Sequence, residues 1–274
     1  MEPSGTAVVT GASRGIGRAV AIELARRGFD VVAGMRDPSM GADLASEAGD
    51  ASARIRVGRL DVTDLDAFVA PDDLRVLVNN AGLRQQYLPV EHTPLAEWRT
   101  IFETNVFAVF ELCRRCIPVM RKAGTGVICN IGSSSILNPQ PFFGTYAGSK
   151  SAMSNVTAVL RVELAPFGIR VIEVMPGPIE TDLLATSVTA RIADAAEFEP
   201  YRPMAQLQHE RAQMARAASV PTSYAADAIA DAILSDGGPL RYGCDPLSVQ
   251  SIESWRHADP EATIAGIVGS FAAG

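Results

Sequence analysis

Short apolar runs alternate along this chain with longer stretches in which apolar positions recur every three or four residues, the pattern of strands alternating with amphipathic helices. Thr6–Thr10, Asp30–Gly34, Arg54–Leu60, Arg75–Asn79, Gly126–Ile131, Ile169–Met175 and Pro239–Tyr242 read as strands. Strands alternating with helical segments in this way are the pattern of a parallel sheet covered on both faces, which predicts an α/β fold: a seven-stranded parallel sheet, doubly wound, with helices on both faces. The first helix runs to Arg27, where Arg26, Arg27 and Gly28 supply the terminal cations and the glycine that helix ends favour. The two longest helices are predicted over Leu95–Arg121 and Gly144–Ala165. Between residues 180 and about 220 the rhythm breaks around Pro200, Pro203 and Pro221. From Ala258 to Gly274 small residues predominate, a tail expected either to be mobile or to pack on a neighbouring subunit. With no repeat and no low-complexity segment, residues 1–274 read as a single domain.

Composition narrows the function classes. A net charge of −7 over 274 residues gives no support to a nucleic-acid or anionic-membrane partner. No run approaches the roughly eighteen apolar residues of a membrane span, and Met1-Glu2-Pro3-Ser4 does not read as a signal peptide. Cys113 and Cys116 lie in a helical pattern with no second pair nearby, so they are expected to be buried thiols. Cys129 falls in a strand and Cys244 near the end, a usage that fits a reducing cytoplasm. His92, His209 and His257 show no ligand spacing, and no metal site is expected.

Two local patterns carry chemistry. In Tyr146-Ala-Gly-Ser-Lys150 the four-residue spacing places a phenol beside an ammonium group on one helix face. A free phenol has a pKa near ~10; one cation at ~4 Å in an effective dielectric of ~20 contributes about 4 kcal/mol, an upper bound of roughly three pKa units. Such a phenol exchanges protons near neutral pH. At the other end, the strand Thr6–Thr10 runs into Gly11-Ala12-Ser13-Arg14-Gly15-Ile16-Gly17 and a helix. Glycines there allow a tight turn and the approach of a pyrophosphate to the helix N-terminus. The turn lacks the Lys-Ser/Thr ending of a nucleoside triphosphate loop.

The Thr-Gly-x-x-x-Gly-x-Gly run at 10–17 and Tyr-x-x-x-Lys at 146–150 resemble the short-chain dehydrogenases/reductases, and further matches follow in order. Asp61-Val62 comes after a third strand, Asn79-Asn80-Ala81-Gly82 ends a fourth, Asn105 lies in a long helix, Ser133 precedes Tyr146 by thirteen positions, and Pro176-Gly177-Pro178 with Thr181 follows a sixth strand. The resemblance is dense over residues 5–182, and Leu160–Val171 is similar to the branch of hydroxysteroid dehydrogenases and carbonyl reductases. It implies a Rossmann-like fold, a substrate lid at about 180–220 and a homodimer or homotetramer paired through long helices.

The implied reaction is reversible hydride transfer between a nicotinamide and a small-molecule carbonyl or alcohol. Tyr146 would be the acid or base, Lys150 would favour its phenolate and hold the nicotinamide ribose, Ser133 would bond the substrate oxygen, and Asn105 would steady a water near Lys150. Ser134 and Ser135 are close rivals that lack the thirteen-residue offset. Gly11, Ser13, Arg14, Gly15, Ile16 and Gly17 would cradle the pyrophosphate. Asp61 and Val62 would border the adenine, Asn79, Ala81 and Gly82 the adenosine side, and Pro176, Gly177, Ile179 and Thr181 the nicotinamide.

An acid ending the second strand would accept from a ribose hydroxyl and repel a 2′-phosphate. Here Arg36 stands near that place, Arg14 can add charge from the turn, and Asp37 comes one position late, which favours NADP(H) over NAD(H). A Ser-His-Asp hydrolase fails for want of Gly-x-Ser-x-Gly around Ser133. An inactive NADP-binding regulator and a nucleotide-sugar epimerase remain as alternatives on the same fold. Phe142, Phe143, Leu183, Leu184, Met204, Leu207 and Met214 suggest a mainly apolar pocket for a medium-sized substrate.

Overall fold

A computed structural model describes residues 1–84, 86–181 and 192–272. The first strand, β1 (Thr6–Thr10), is buried along its whole length, with Ala7 and Val9 in one apolar layer and Val8 in the other. This is the two-residue alternation of a strand between two helical layers. The chain continues through α1 (Gly15–Arg26), β2 (Asp30–Met35), α2 (Leu44–Glu47), β3 (Ile55–Arg59), β4 (Leu74–Asn79), α3 (Leu95–Phe102), α4 (Ala108–Ala123) and β5 (Gly126–Ile131). After these come α5 (Gly144–Leu164), β6 (Ile169–Val174), α6 (Ile192–Ala196), α7 (Arg202–Ala217), α8 (Thr222–Leu234), β7 (Arg241–Tyr242), α9 (Pro246–His257) and α10 (Pro260–Ala272).

The strands form one parallel sheet in the order β3-β2-β1-β4-β5-β6-β7. Strand order reverses between β1 and β4, and a crevice opens there at the carboxyl ends of the strands. One face is covered by Val20, Ala21 and Leu24 of α1 with Ile229 and Ile233 of α8. On the other, Leu112 and Met120 of α4 and Met153 of α5 pack over Ile128 and Val171. The Rossmann-like expectation is met strand for strand, although β7 is shorter than the run 239–242 suggests.

Three segments differ from the expectations. The long helix predicted over Leu95–Arg121 is interrupted by a π-helical turn, Glu103–Phe107, whose Thr104, Asn105 and Val106 are buried. Apolar spacing does not reveal that interruption, because both flanking helices keep the same period. Of the proposed lid, residues 182–191 lie outside the described residues, and the rest forms α6 and α7. The C-terminal tail is the helix α10, which packs back on its own chain: the Phe271 ring centroid is 4.3 Å from the Arg211 guanidinium carbon on α7.

Candidate active site

The glycine turn is shaped by contact with β4. Gly11 has φ +66°, a left-handed conformation that favours glycine. A Cβ at Gly17 would collide with the Asn80 amide and stand 2.5 Å from the Gly11 carbonyl oxygen, so Gly17 serves close packing and does not itself line the cavity. Asn80 ties the turn down: its Nδ2 donates to the Thr10 carbonyl at 2.9 Å, while the Asn80 and Ala81 N–H groups each donate to Thr10 Oγ1 at 3.0 Å. Arg14 occupies the N-cap of α1 without a capping side-chain bond, so the free N–H groups and positive end of a twelve-residue helix adjoin a cavity lined by Gly11, Ser13, Gly15 and Ile16. That is an anion cradle, and the residues fit a dinucleotide pyrophosphate.

Arg14, Arg36, Asp61, Val62, Ala81 and Gly82 also line this cavity. Besides Gly17, Asn79 is the residue expected there that does not line it. Its side chain turns into the sheet, donating to Asn130 Oδ1 at 2.8 Å and to Cys113 Sγ at 3.4 Å, because successive strand side chains point to opposite faces; Asn80 takes the cavity side. Asp37 is occupied by Ser39, accepting from its N–H at 3.0 Å and its hydroxyl at 2.8 Å, and these bonds hold its carboxyl below the usual range. Asp61 is pushed up by burial, but Thr63's N–H and hydroxyl, with the charges of Arg36 and Arg59, bring it below the usual range.

Tyr146 and Lys150 lie on the first turns of α5, and both are buried. The four-residue spacing keeps both at the carboxyl end of β5, where Lys150 Nζ donates to the Ile131 carbonyl at 2.6 Å. Ser133 follows that strand, its Oγ 2.8 Å from Ser135 Oγ. Together with Gly82, Pro176, Gly177, Ile179 and Thr181 these side chains line a second cavity continuous in residues with the first. Gly177 is pinned from outside: its N–H donates at 2.7 Å to Asp245, the residue that caps α9.

Asn105 lines neither cavity. Its Oδ1 accepts from the Leu83 N–H at 2.8 Å, and its Nδ2 donates to the Leu83 carbonyl at 2.9 Å and Ser149 Oγ at 3.1 Å. The amide therefore clamps the segment after β4 onto α5, with Gly82 between it and Lys150: a Cβ there would be 3.3 Å from Asn105 Oδ1 and 3.8 Å from Lys150 Nζ.

Arg84 is the site residue with no signal in the sequence patterns. Its guanidinium carbon lies 5.1 Å from the Tyr146 ring centroid, and its Nη1 donates to Tyr87 Oη at 3.1 Å. Burial alone would push the Tyr146 phenol up, but the Lys150 and Arg84 charges and hydrogen bonds with Ser133 and Arg84 bring it below its ordinary value. Burial also lowers Lys150, against the pull of Tyr146 and Glu173. Elsewhere burial pushes the thiols of Cys113, Cys116 and Cys129 up to about 12, which leaves them inert at neutral pH.

A third cavity starts at Ser133, Arg84 and Tyr87 and is walled by α7, α9 and α10. Phe143 lines it as expected. Phe142 instead packs against Tyr201 in the cluster that also takes Met204, Leu207 lies away from the lining, and Met214 is 66% exposed. Leu183 and Leu184 lie outside the described residues. The surface is mainly apolar, as expected, and is interrupted by polar groups from Ser134, Asn138, Gln140, Gln208, Arg211 and Ser251.

Residues 5–191 match the family model described as short chain dehydrogenase. Over 242 residues the chain is 36% identical to cis-4-hydroxycyclohexanecarboxylate dehydrogenase from Sinomonas cyclohexanicum, covering 85% of this chain and 95% of that protein. Its fold is similar to a short chain dehydrogenase from Burkholderia cenocepacia J2315 in complex with NADP, with TM-score 0.75 and 27% identity over 97% of this chain and 98% of the other. A 3-ketoacyl-(acyl-carrier-protein) reductase from Brucella melitensis complexed with NADH is similar with TM-score 0.70 and 26% identity, over 89% and 98% of the two chains.

Proposed function

The chain belongs to the short-chain dehydrogenase family of oxidoreductases acting on alcohol and ketone substrates, and from that premise we propose that it interconverts a ketone and a secondary alcohol of medium size with NADP(H). The observation that carries this reading is the buried Tyr146 phenol set between the Lys150 and Arg84 cations, with Ser133 as a hydrogen-bond partner. When bound, the nicotinamide supplies or accepts the hydride. Tyr146 Oη gives up its proton to the substrate oxygen in reduction and takes one back in oxidation. Lys150 stabilises the phenolate, and Ser133 Oγ orients the substrate oxygen beside it. Asn105 holds the Leu83 segment against α5 and so fixes the wall next to Lys150.

Arg36 on the exposed rim and Arg14 in the turn support NADP(H): guanidinium groups suit a 2′-phosphate, whereas Asp37, the rival ribose ligand, is engaged by Ser39. The cyclic secondary alcohol named for the Sinomonas relative supports a substrate of similar size. Phe107, 57% exposed on the π turn, and Val162, 75% exposed on α5, are apolar side chains that a second copy of the chain could cover, which supports a homodimer or homotetramer.

The test is Tyr146→Phe. NADPH affinity should stay nearly unchanged while kcat falls by ~10² to 10⁴, the usual size of general acid catalysis. Retention of more than about a tenth of wild-type turnover would remove Tyr146 from the acid role.

A further inference from the structure

The cavity beyond Ser133 is walled by three helices, each presenting one stripe. Gln208, Arg211, Ala212 and Ala215 recur at helical spacing on α7, Leu247 and Ser251 on α9, and Thr263, Ile267 and Phe271 on α10. Among the described residues lining this cavity there are two arginines, Arg84 and Arg211, and no aspartate or glutamate. That runs against the rest of a chain whose net charge is −7.

The two arginines are placed differently. Arg84 sits on the wall shared with the Tyr146 cavity and is engaged with Tyr87 and Tyr146. Arg211 sits on the wall made by α7 and α10, half-buried, its guanidinium carbon 4.3 Å from the Phe271 ring centroid. Stacking on an aromatic ring fixes the plane of a guanidinium while leaving its edge N–H donors free to make two parallel bonds to a carboxylate. One helical turn away from Arg211, buried Gln208 donates to Gln140 Oε1 at 3.2 Å, so this wall is polar within an otherwise apolar surround of Phe143, Ile267 and Leu247. Where water is thinned by such neighbours, a cation attracts an anion more strongly than it does in bulk solvent.

We propose that this cavity selects an anionic substrate, an oxo acid or hydroxy acid whose carboxylate pairs with Arg211 while its carbonyl or hydroxyl carbon reaches Ser133 and Tyr146. The apolar body between those ends lies against Phe143, Ile267 and Phe271. The substrate class rests on the reading of the Tyr146 cavity as the hydride-transfer site, but anion binding at Arg211 is measurable without turnover.

Two measurements separate the two readings. In calorimetric titrations with NADP⁺ present, wild type should bind benzoate at least about tenfold more tightly than benzamide, the size expected of one charge-assisted pair. Arg211→Leu should erase that ratio and Arg211→Lys should keep part of it. In turnover with NADPH, kcat/KM for para-acetylbenzoate should exceed that for its methyl ester by a similar factor, and the ratio should fall toward unity in Arg211→Leu. Equal binding of benzoate and benzamide by wild type, which needs no variant to fold, overturns the proposal, as does a carboxylate preference that survives Arg211→Leu. A benzoate preference that depends on Arg211, with neither ketone turned over, supports the anion site and counts against hydride transfer at Tyr146.

Discussion

Replacing Arg84 by methionine removes one of the two cations beside the Tyr146 phenol and leaves an unbranched side chain to fill much of the same space. The guanidinium carbon lies 5.1 Å from the ring centroid. A unit charge at about 5 Å in an effective dielectric of about 20 contributes roughly 3 kcal/mol, an upper bound near two pKa units. Arg84 is half-buried, so about one unit is the expected effect. Its sign follows from the phenolate: a nearby cation lowers the Tyr146 pKa, so losing Arg84 raises it.

With Tyr146 as the proposed base in the oxidation direction, activity should rise with pH as the phenol ionises. The kcat/KM profile for a secondary alcohol should therefore move about one unit to higher pH in Arg84→Met, with roughly tenfold less activity on the acid side of the wild-type midpoint. Arg84→Lys should recover most of the shift, since the charge is restored. Affinity for NADP⁺, measured by fluorescence titration, should fall by much less than about tenfold, because Arg84 lines the Tyr146 cavity but not the anion cradle at the glycine turn. A variant whose profile stays in place while activity drops uniformly would show that Arg84 only packs against Tyr146 and Tyr87. An equal loss of cofactor affinity would refute the electrostatic account as well.

Gly17→Ala should weaken cofactor binding at least tenfold by titration, because its Cβ displaces the Asn80 amide that ties the turn to β4; unchanged binding would show that the turn yields cheaply. Arg36→Ala should lower NADPH affinity roughly tenfold, the low end for a charge-assisted contact on an exposed rim, and leave NADH affinity unchanged; parallel losses would count against a 2′-phosphate role. Glu173 is fully buried, and burial raises its pKa against the pull of Ser154, Arg241 and Lys150. A raised folded-state value means the folded protein binds this proton more strongly than the unfolded chain, so its contribution is fully present below the ordinary carboxylate range and is lost as pH rises through the raised value. Glu173→Gln should gain in Tm relative to wild type as pH rises above the ordinary carboxylate range, and a difference constant with pH would contradict this.

The strand positions, the glycine turn, the Tyr146–Lys150 spacing and Ser133 were legible because each depends on local order along the chain. A buried parallel strand must be apolar throughout, a helix sets residues four apart on one face, and a tight turn against a neighbouring strand needs glycine. These rules act within about ten residues, so the sequence by itself determined the fold class and the placing of Tyr146 beside Lys150 on one helix face. The remaining features depend on which distant segments meet. Asn79 and Asn80 are adjacent and chemically identical, and only the pleat of β4 decides that the first bonds Asn130 and the second holds the turn. Asn105 acquires its clamp from a π turn and from Leu83, twenty-two positions away. Arg84 follows the Asn79–Gly82 motif without belonging to it, and becomes part of the site because α5 brings the Tyr146 ring beneath it. The small-residue tail that composition left open becomes α10, and with α7 it walls the cavity and sets Phe271 against Arg211. Which cation faces which ring is a property of packing between segments far apart in sequence, so tertiary structure alone decided what the neighbouring cavity presents beside the Tyr146 phenol.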